Sequence, residues 1–190
     1  MTVELYLARH GETEWSKTKR HTGRTDLPLI PEGEERARRL GERLRGIEFT
    51  AVYTSPLQRA RRTAALAGFP DATPSDLLLE YDYGEYEGVT TAAIRERRPG
   101  WELFHDGCPG GETLDQAYGR AQAFIAEAER AGGRVLAFAH GHILRAIGSA
   151  FLEQPIGFAA RLALDTAALA LVEDGANGRG LTFWNLAPGQ

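Results

Sequence analysis

The sequence predicts an α/β fold: a three-layer α/β/α sandwich around a mainly parallel central sheet, in a single domain over residues 1–190. Three observations carry this expectation. Short apolar runs alternate with amphipathic stretches from end to end. No linker and no repeat of solenoid period divides the chain. Its 190 residues, 43% hydrophobic and 25% charged, suit one sizeable core of ordinary globular composition.

The elements follow in order. Residues 3–8 form the first strand, and 16–30 (SKTKRHTGRTDLPLI) a polar loop rich in turn residues. Pro31-Glu32-Gly33 opens a helix to about Arg45, with Ala37, Leu40, Leu44 and Ile47 at helical spacing. Its other face pairs arginine with glutamate, as a solvated surface does. Residues 49–54 are the second strand. Ser55-Pro56-Leu57-Gln58 then has the form of a helix start, with Ser55 as cap, Pro56 in the first turn and Gln58 completing a capping box. That helix runs to about Leu66. Residues 73–80 read as extended, 81–88 as a glycine-bounded loop, 90–98 as a short helix stopped by Pro99-Gly100, and 104–112 as a second loop. Thr113 caps a long helix to about Ala131, with Leu114, Ala117, Ala121, Phe124, Ile125 and Ala128 on one face. Residues 134–139 are a strand, 142–152 a helix, and 167–173 and 180–186 two closing strands joined by Gly175-Ala176-Asn177-Gly178. That hairpin implies at least one antiparallel strand.

Several function classes are excluded. A net charge of −4 disfavours nucleic acid and acidic membrane surfaces as partners. No apolar segment approaches the ~20 residues that span a bilayer. The opening MTVELYLARHGE lacks a signal-type apolar core and reads as the first strand. A single cysteine, Cys108, cannot form an intrachain disulfide, which suits a reducing, cytoplasmic setting. In the loop Asp106-Gly107-Cys108-Pro109 it reads as a small, partly buried side chain rather than a nucleophile. A homodimer is compatible with the sequence.

The chemistry gathers where strands end. LYLA is followed by Arg9-His10-Gly11-Glu12, and VLAFA by His140-Gly141-His142. In open α/β sheets ligands bind beyond the carboxyl ends of strands, at a switch in strand order. Arg9 and His10 arrive there from the first strand and His140 from the later one. Gly141 lets its N–H face the site. Arg59 sits in the first turn of the helix after the second strand, where free N–H groups also point outward. Taken singly, each residue has an ordinary structural reading: a strand-end charge, a core histidine, a solvated helix arginine. Together, two guanidiniums, two imidazoles and oriented amides make a pocket for a dianion, and phosphate matches best. A neutral imidazole is a competent nucleophile towards phosphorus, and neighbouring arginines keep it neutral. The leaving alkoxide then needs a proton from a carboxylic acid. Glu80 is the candidate, with Glu85 and Glu87 as rivals.

The ordered set LARHGETEWS, HTGRTDLPLIPEGEERA, TSPLQRARRTA, LLLEYDYGEYEG, GCPGGET and FAHGHILR covers nearly the whole chain. It closely resembles the histidine phosphatase superfamily, in its phosphoglycerate mutase-like branch. The resemblance implies that His10 is the phosphorylated nucleophile, Arg9, Arg59 and His140 the phosphate pocket, and Glu80 the proton donor, four residues before Gly84. It also implies that Thr22, Gly23 and Tyr83 touch the rest of the substrate. Position 16, usually an asparagine lining the phosphate site, is the shorter donor Ser16 here.

A cofactor-dependent mutase of this branch carries a lysine where this chain has Thr91, and the segment between Gly88 and Gly107 is too short for the mutase insertion with its arginine pair. WSK, HTG, DYGEYEG and DGCPGGE are most similar to phosphatases acting on sugar phosphates, including sedoheptulose bisphosphatase-like and acid phosphatase-like members. The expectation is a phosphomonoesterase acting on a small-molecule phosphate ester, without cofactor or metal. A phosphoglycerate mutase is the alternative, and a catalytically silent phospholigand-binding module a third. A metal hydrolase built on His140 and His142 lacks further ligands in the sequence.

Overall fold

The computed structural model describes residues 2–176 and 178–188, so Asn177 of the expected final turn lies outside the described residues. The sheet has six strands: β1 (Val3–Arg9), β2 (Ala51–Thr54), β3 (Thr73–Pro74), β4 (Gly133–Ala139), β5 (Leu169–Gly175) and β6 (Gly178–Leu186). They lie in the order β3-β2-β4-β1-β5-β6. Strands β1 to β4 run parallel, and β5 is antiparallel to both β1 and β6. The mainly parallel sandwich and its antiparallel closing strand are thus as the sequence predicts.

Strand β1 shows why its run is apolar throughout. Val3, Leu5 and Leu7 face one layer and Tyr6 and Ala8 the other. The first layer is packed by α6 (Leu114–Ala131) and α7 (Gly141–Phe151), through Phe124, Ile125, Ile143 and Ile147. The second is packed by α2 (Pro31–Leu44) and α3 (Gln58–Leu66), through Leu40, Leu44 and Ala64. Helix α6 starts as its sequence prescribes. Thr113 Oγ1 accepts from Gln116 N–H (3.1 Å), and the Gln116 side chain accepts from Thr113 N–H (2.9 Å).

Other boundaries differ from expectation. The polar loop contains a single helical turn, α1 (Glu14–Lys17), boxed by Thr13 and Ser16. Helix α3 begins at Gln58, whose N–H is capped by Asp26 Oδ1 (2.8 Å), while Ser55 Oγ makes only a long bond, 3.4 Å, to Leu57 N–H. The stretch expected to be extended over 73–80 is only the two-residue β3 followed by a 3-10 turn, Asp76–Leu78, which turns Leu78 wholly into the core. Helix α4 (Thr91–Arg97) is as expected, and the second loop is preceded by another single turn, α5 (Leu103–Asp106).

Register places the site. Strands β1 and β4 are adjacent, with Arg9 opposite Ala139, so His10 and His140 leave the sheet side by side. His10 N–H still bonds Ala139 C=O at 2.9 Å. Thr54 of β2 pairs with Phe138, which puts Ser55 beside His140 on the other flank.

Candidate active site

Beyond this edge lies a small polar cavity of about 90 Å³. It is lined by Arg9, His10, Ser16, Arg20, His21, Thr22, Glu80, Tyr83, Gly141, His142, Arg145 and Leu164. It opens into a vestibule of about 640 Å³ that shares Arg9, Ser16, Arg20, His21 and His142 with it.

His10 is buried, and its Nδ1 lies 2.6 Å from the Gly11 carbonyl oxygen. A carbonyl only accepts, so Nδ1 carries the ring proton and Nε2 keeps a free lone pair. Burial first, then the Arg59 and Arg9 guanidiniums, holds the His10 pKa well below the ordinary histidine value. The imidazole is therefore neutral at pH 7. The Gly11 N–H is fixed by Thr63 Oγ1 (2.9 Å), whose own hydroxyl bonds Arg59 C=O (2.7 Å). This ties the β1 loop to α3.

Arg9 donates from one terminal nitrogen to Leu164 C=O, while its buried Nε has no hydrogen-bond partner. A buried guanidinium N–H without a partner beside a cavity suits an arriving anion. A Cβ on Gly141 would come 3.3 Å from both Cζ and Nε of Arg9, a tight contact that glycine avoids.

Glu80 is almost fully buried. Its carboxylate accepts from Tyr81 N–H (2.9 Å), His142 N–H (3.0 Å) and Ile143 N–H (2.9 Å). Two of these donors belong to the first turn of α7, so Glu80 closes the amino end of the helix that follows His140. The rival carboxylates have other tasks or positions. Glu87 accepts from the N–H groups of Gly23 and Thr25, and neither it nor Glu85 lines the cavity.

Arg59 and His140 stand one layer behind the cavity wall. The Arg59 Nε donates to His140 Nδ1 (3.1 Å), and its terminal nitrogens donate to the carbonyls of Thr25, Thr22 and Gly23 at 2.8–3.0 Å. His140 Nδ1 is thus an acceptor, and Nε2–H donates to Ser55 Oγ (2.8 Å). This second bond is shorter than the 3.4 Å bond that Ser55 Oγ accepts from Leu57 N–H at the start of α3. The two histidine rings remain close, with centroids 5.1 Å apart. Ser16, named for the phosphate site, lines the cavity, and of the residues named for the remainder of the substrate Thr22 and Tyr83 reach it. Gly23 instead supplies backbone contacts to Arg59 and Glu87.

Sequence reasoning missed Arg20, His21 and Arg145, and weighed His142 as a metal ligand. All four line the cavity. Arg145 was findable: it lies four residues after Gly141 on α7 and so shares its face. Its Nε bonds Ala159 C=O (2.9 Å) and its guanidinium covers the Phe104 ring at 4.8 Å. Burial, above all, raises the Tyr83 phenol and lowers His142, so Tyr83 O–H donates to His142 Nδ1 (2.5 Å). Burial also lowers His21 to about 4. The Cys108 thiol, half-buried, is pushed up to about 12 by desolvation and is no thiolate nucleophile.

A family model described as the histidine phosphatase superfamily, branch 1, matches residues 5–187. The chain belongs to the histidine phosphatase superfamily. Among its histidine phosphatase relatives, an acid phosphatase of Mycobacterium tuberculosis is 40% identical over 171 residues, covering 88% of this chain and 84% of that one. A sedoheptulose 1,7-bisphosphatase of Saccharomyces cerevisiae is 36% identical, covering 76% and 66%. A Salmonella choleraesuis protein named probable phosphoglycerate mutase GpmB is 33% identical, covering 90% and 85%. The solved structure of the open reading frame Rv3214 from Mycobacterium tuberculosis superposes with a TM-score of 0.94 at 37% identity, over 97% of this chain and 98% of that one. The phosphatase relatives support a phosphoric monoester hydrolase over a mutase.

Proposed function

We propose that this chain hydrolyses small phosphorylated metabolites, sugar phosphates foremost, through a phosphohistidine on His10. The observation that carries the reading is the free Nε2 of a neutral, buried His10, in a cavity walled by Arg9, Arg20, Arg145 and Glu80. Nε2 attacks phosphorus, the P–O ester bond breaks, and Glu80 gives its proton to the leaving alkoxide. Water then attacks the phosphohistidine. The P–N bond breaks, the water's proton returns to Glu80, and phosphate departs. Charge on the transferring group is met by Arg9, Arg20 and Arg145 at the wall and by Arg59 behind it. Names of relatives, an acid phosphatase and a sedoheptulose 1,7-bisphosphatase, support the substrate class. The absence of a membrane-spanning helix among the described residues is compatible with action in the cytoplasm.

The mutase reading has weaker support. Thr91 opens α4 and bonds His21 Nε2 at 3.2 Å. Arg95 bonds Trp101 C=O and Arg98 pairs with Asp106, so neither lines the cavity.

Rapid quenching during turnover of a phosphomonoester tests the proposal. An acid-labile phosphoryl adduct on His10, absent from His10→Ala, is the expected result; its failure to accumulate or an adduct elsewhere would remove the nucleophile. Incubation with 3-phosphoglycerate, with and without 2,3-bisphosphoglycerate, tests the alternative. Phosphate release is expected to exceed isomerisation, and the reverse would favour the mutase.

A further inference from the structure

The inner cavity and the vestibule differ in size in a way that divides the substrate. About 90 Å³ is space for roughly three waters, enough for a phosphoryl group and too little for a sugar. Whatever the phosphate is esterified to must occupy the 640 Å³ vestibule. That vestibule is strongly cationic: Lys19, Arg36 and Arg39 join Arg9 and Arg20 on its wall. Among the described residues only two carboxylates, Glu12 and Asp165, line it, and Asp165 is engaged by the Asn185 amide at 3.0 Å.

The outer cations are not used up within the protein. Arg39 pairs with Glu35 on its own helix at 3.2 Å. Arg36 bonds only the Thr166 hydroxyl (3.3 Å), and among the described residues neither Arg36 nor Lys19 has a carboxylate within ion-pair distance. Lys19 carries a second signal. It follows α1 in the left-handed conformation, with φ +57°, at the position where a helix end favours glycine. A lysine there is strained, and its side chain lines the vestibule.

We propose that the vestibule is a second phosphate site, in which Lys19 and Arg36 take the distal phosphate of a bisphosphorylated substrate whose other phosphate enters the His10 cavity. This rests on the phosphatase reading of the inner cavity and adds the residues that set substrate preference. The distal phosphate does not react. It contributes binding and orientation, so its recognition belongs mainly to KM.

Fructose 1,6-bisphosphate and fructose 6-phosphate are the probes, in two arms. The first measures their binding to the His10→Ala protein by calorimetry. The bisphosphate is expected to bind at least about tenfold tighter at low ionic strength, with the margin shrinking as salt rises. The second compares the bisphosphate-to-monophosphate ratio of kcat/KM between the natural protein and a Lys19→Gly/Arg36→Ala variant. The ratio is expected to fall about tenfold, through KM. Glycine suits the left-handed position and alanine suits an exposed helix, so folding is preserved. Equal affinities in the first arm, or an unmoved ratio in the second, would overturn the vestibule site even with phosphate release intact. Tighter bisphosphate binding with no phosphate release from either probe would uphold the vestibule site and count against the phosphohistidine chemistry instead.

Discussion

Glu80 sits in a cage of three backbone N–H groups, and that restraint shapes how its replacement should read out. Glu80→Gln keeps a carbonyl oxygen for the cage but has no acid proton to give. For alkyl phosphates, whose leaving oxygen needs protonation, the loss in kcat is expected to be about 10²-fold or more. For p-nitrophenyl phosphate, whose phenoxide leaves unaided, it should be far smaller. Steady-state kinetics on the two substrates decide the matter. Equal losses would reassign the acid, or show that the cage itself had collapsed, which a lowered melting temperature would reveal. At this scale the sequence was informative about identity and silent about partners. Arg9 and His10 stood out at a strand end, while Glu80 was one of three candidate acids until the family resemblance singled it out. That Arg59 would spend its donors on His140 and on the carbonyls of residues 22–25 depends on contacts across 34 or more positions, which no local pattern encodes.

Between elements, the closest backbone approach in the site region joins the loop after β1 to the first turn of α2. A Cβ at Gly33 would lie 2.2 Å from the Glu12 carbonyl oxygen, and one at Gly11 2.4 Å from the Gly33 oxygen. Neither backbone can yield without moving the other. Gly33→Ala is expected to cost about 1–3 kcal/mol in urea unfolding and to displace the His10–Glu12 loop, lowering kcat/KM at least about tenfold. Unchanged kinetics would mean that the loop's position is set from β1 and α3 alone. The same scale shows what periodicity can and cannot supply. Helices α2 and α6 span 14 and 18 residues, long enough for their apolar stripe to be read. Helices α1 and α5 have four residues each, too few for any period, and overlap the starts of stretches expected to be loops. Ser55 looked like a cap because its neighbours fit the motif. Its hydroxyl makes its shorter bond with His140, 85 positions away.

Across the whole molecule, four histidines are kept neutral by burial: His10, His21, His140 and His142. In the unfolded chain each titrates near 6.5. Below that pH the unfolded state binds more protons than the folded state, so stability must fall as pH drops. For His21 the loss begins near pH 6.5 and ends near pH 4, amounting to about 3 kcal/mol. Urea midpoints measured from pH 7 to 4.5 should decline steadily, and His21→Gln should decline less steeply. A flat profile would contradict the burial of these rings. The alternation of elements predicted the layers, because it is an average over many residues. The vestibule was not legible, since α1, α2 and the segment after β6 meet there only once the sheet has formed.

The short bond between His10 Nδ1 and the Gly11 carbonyl has one more chemical effect. It blocks the ring nitrogen nearer the main chain. The proposed phosphohistidine would therefore be a single regioisomer, carried on the nitrogen remote from the backbone, and its phosphorus resonance should show one signal, not two.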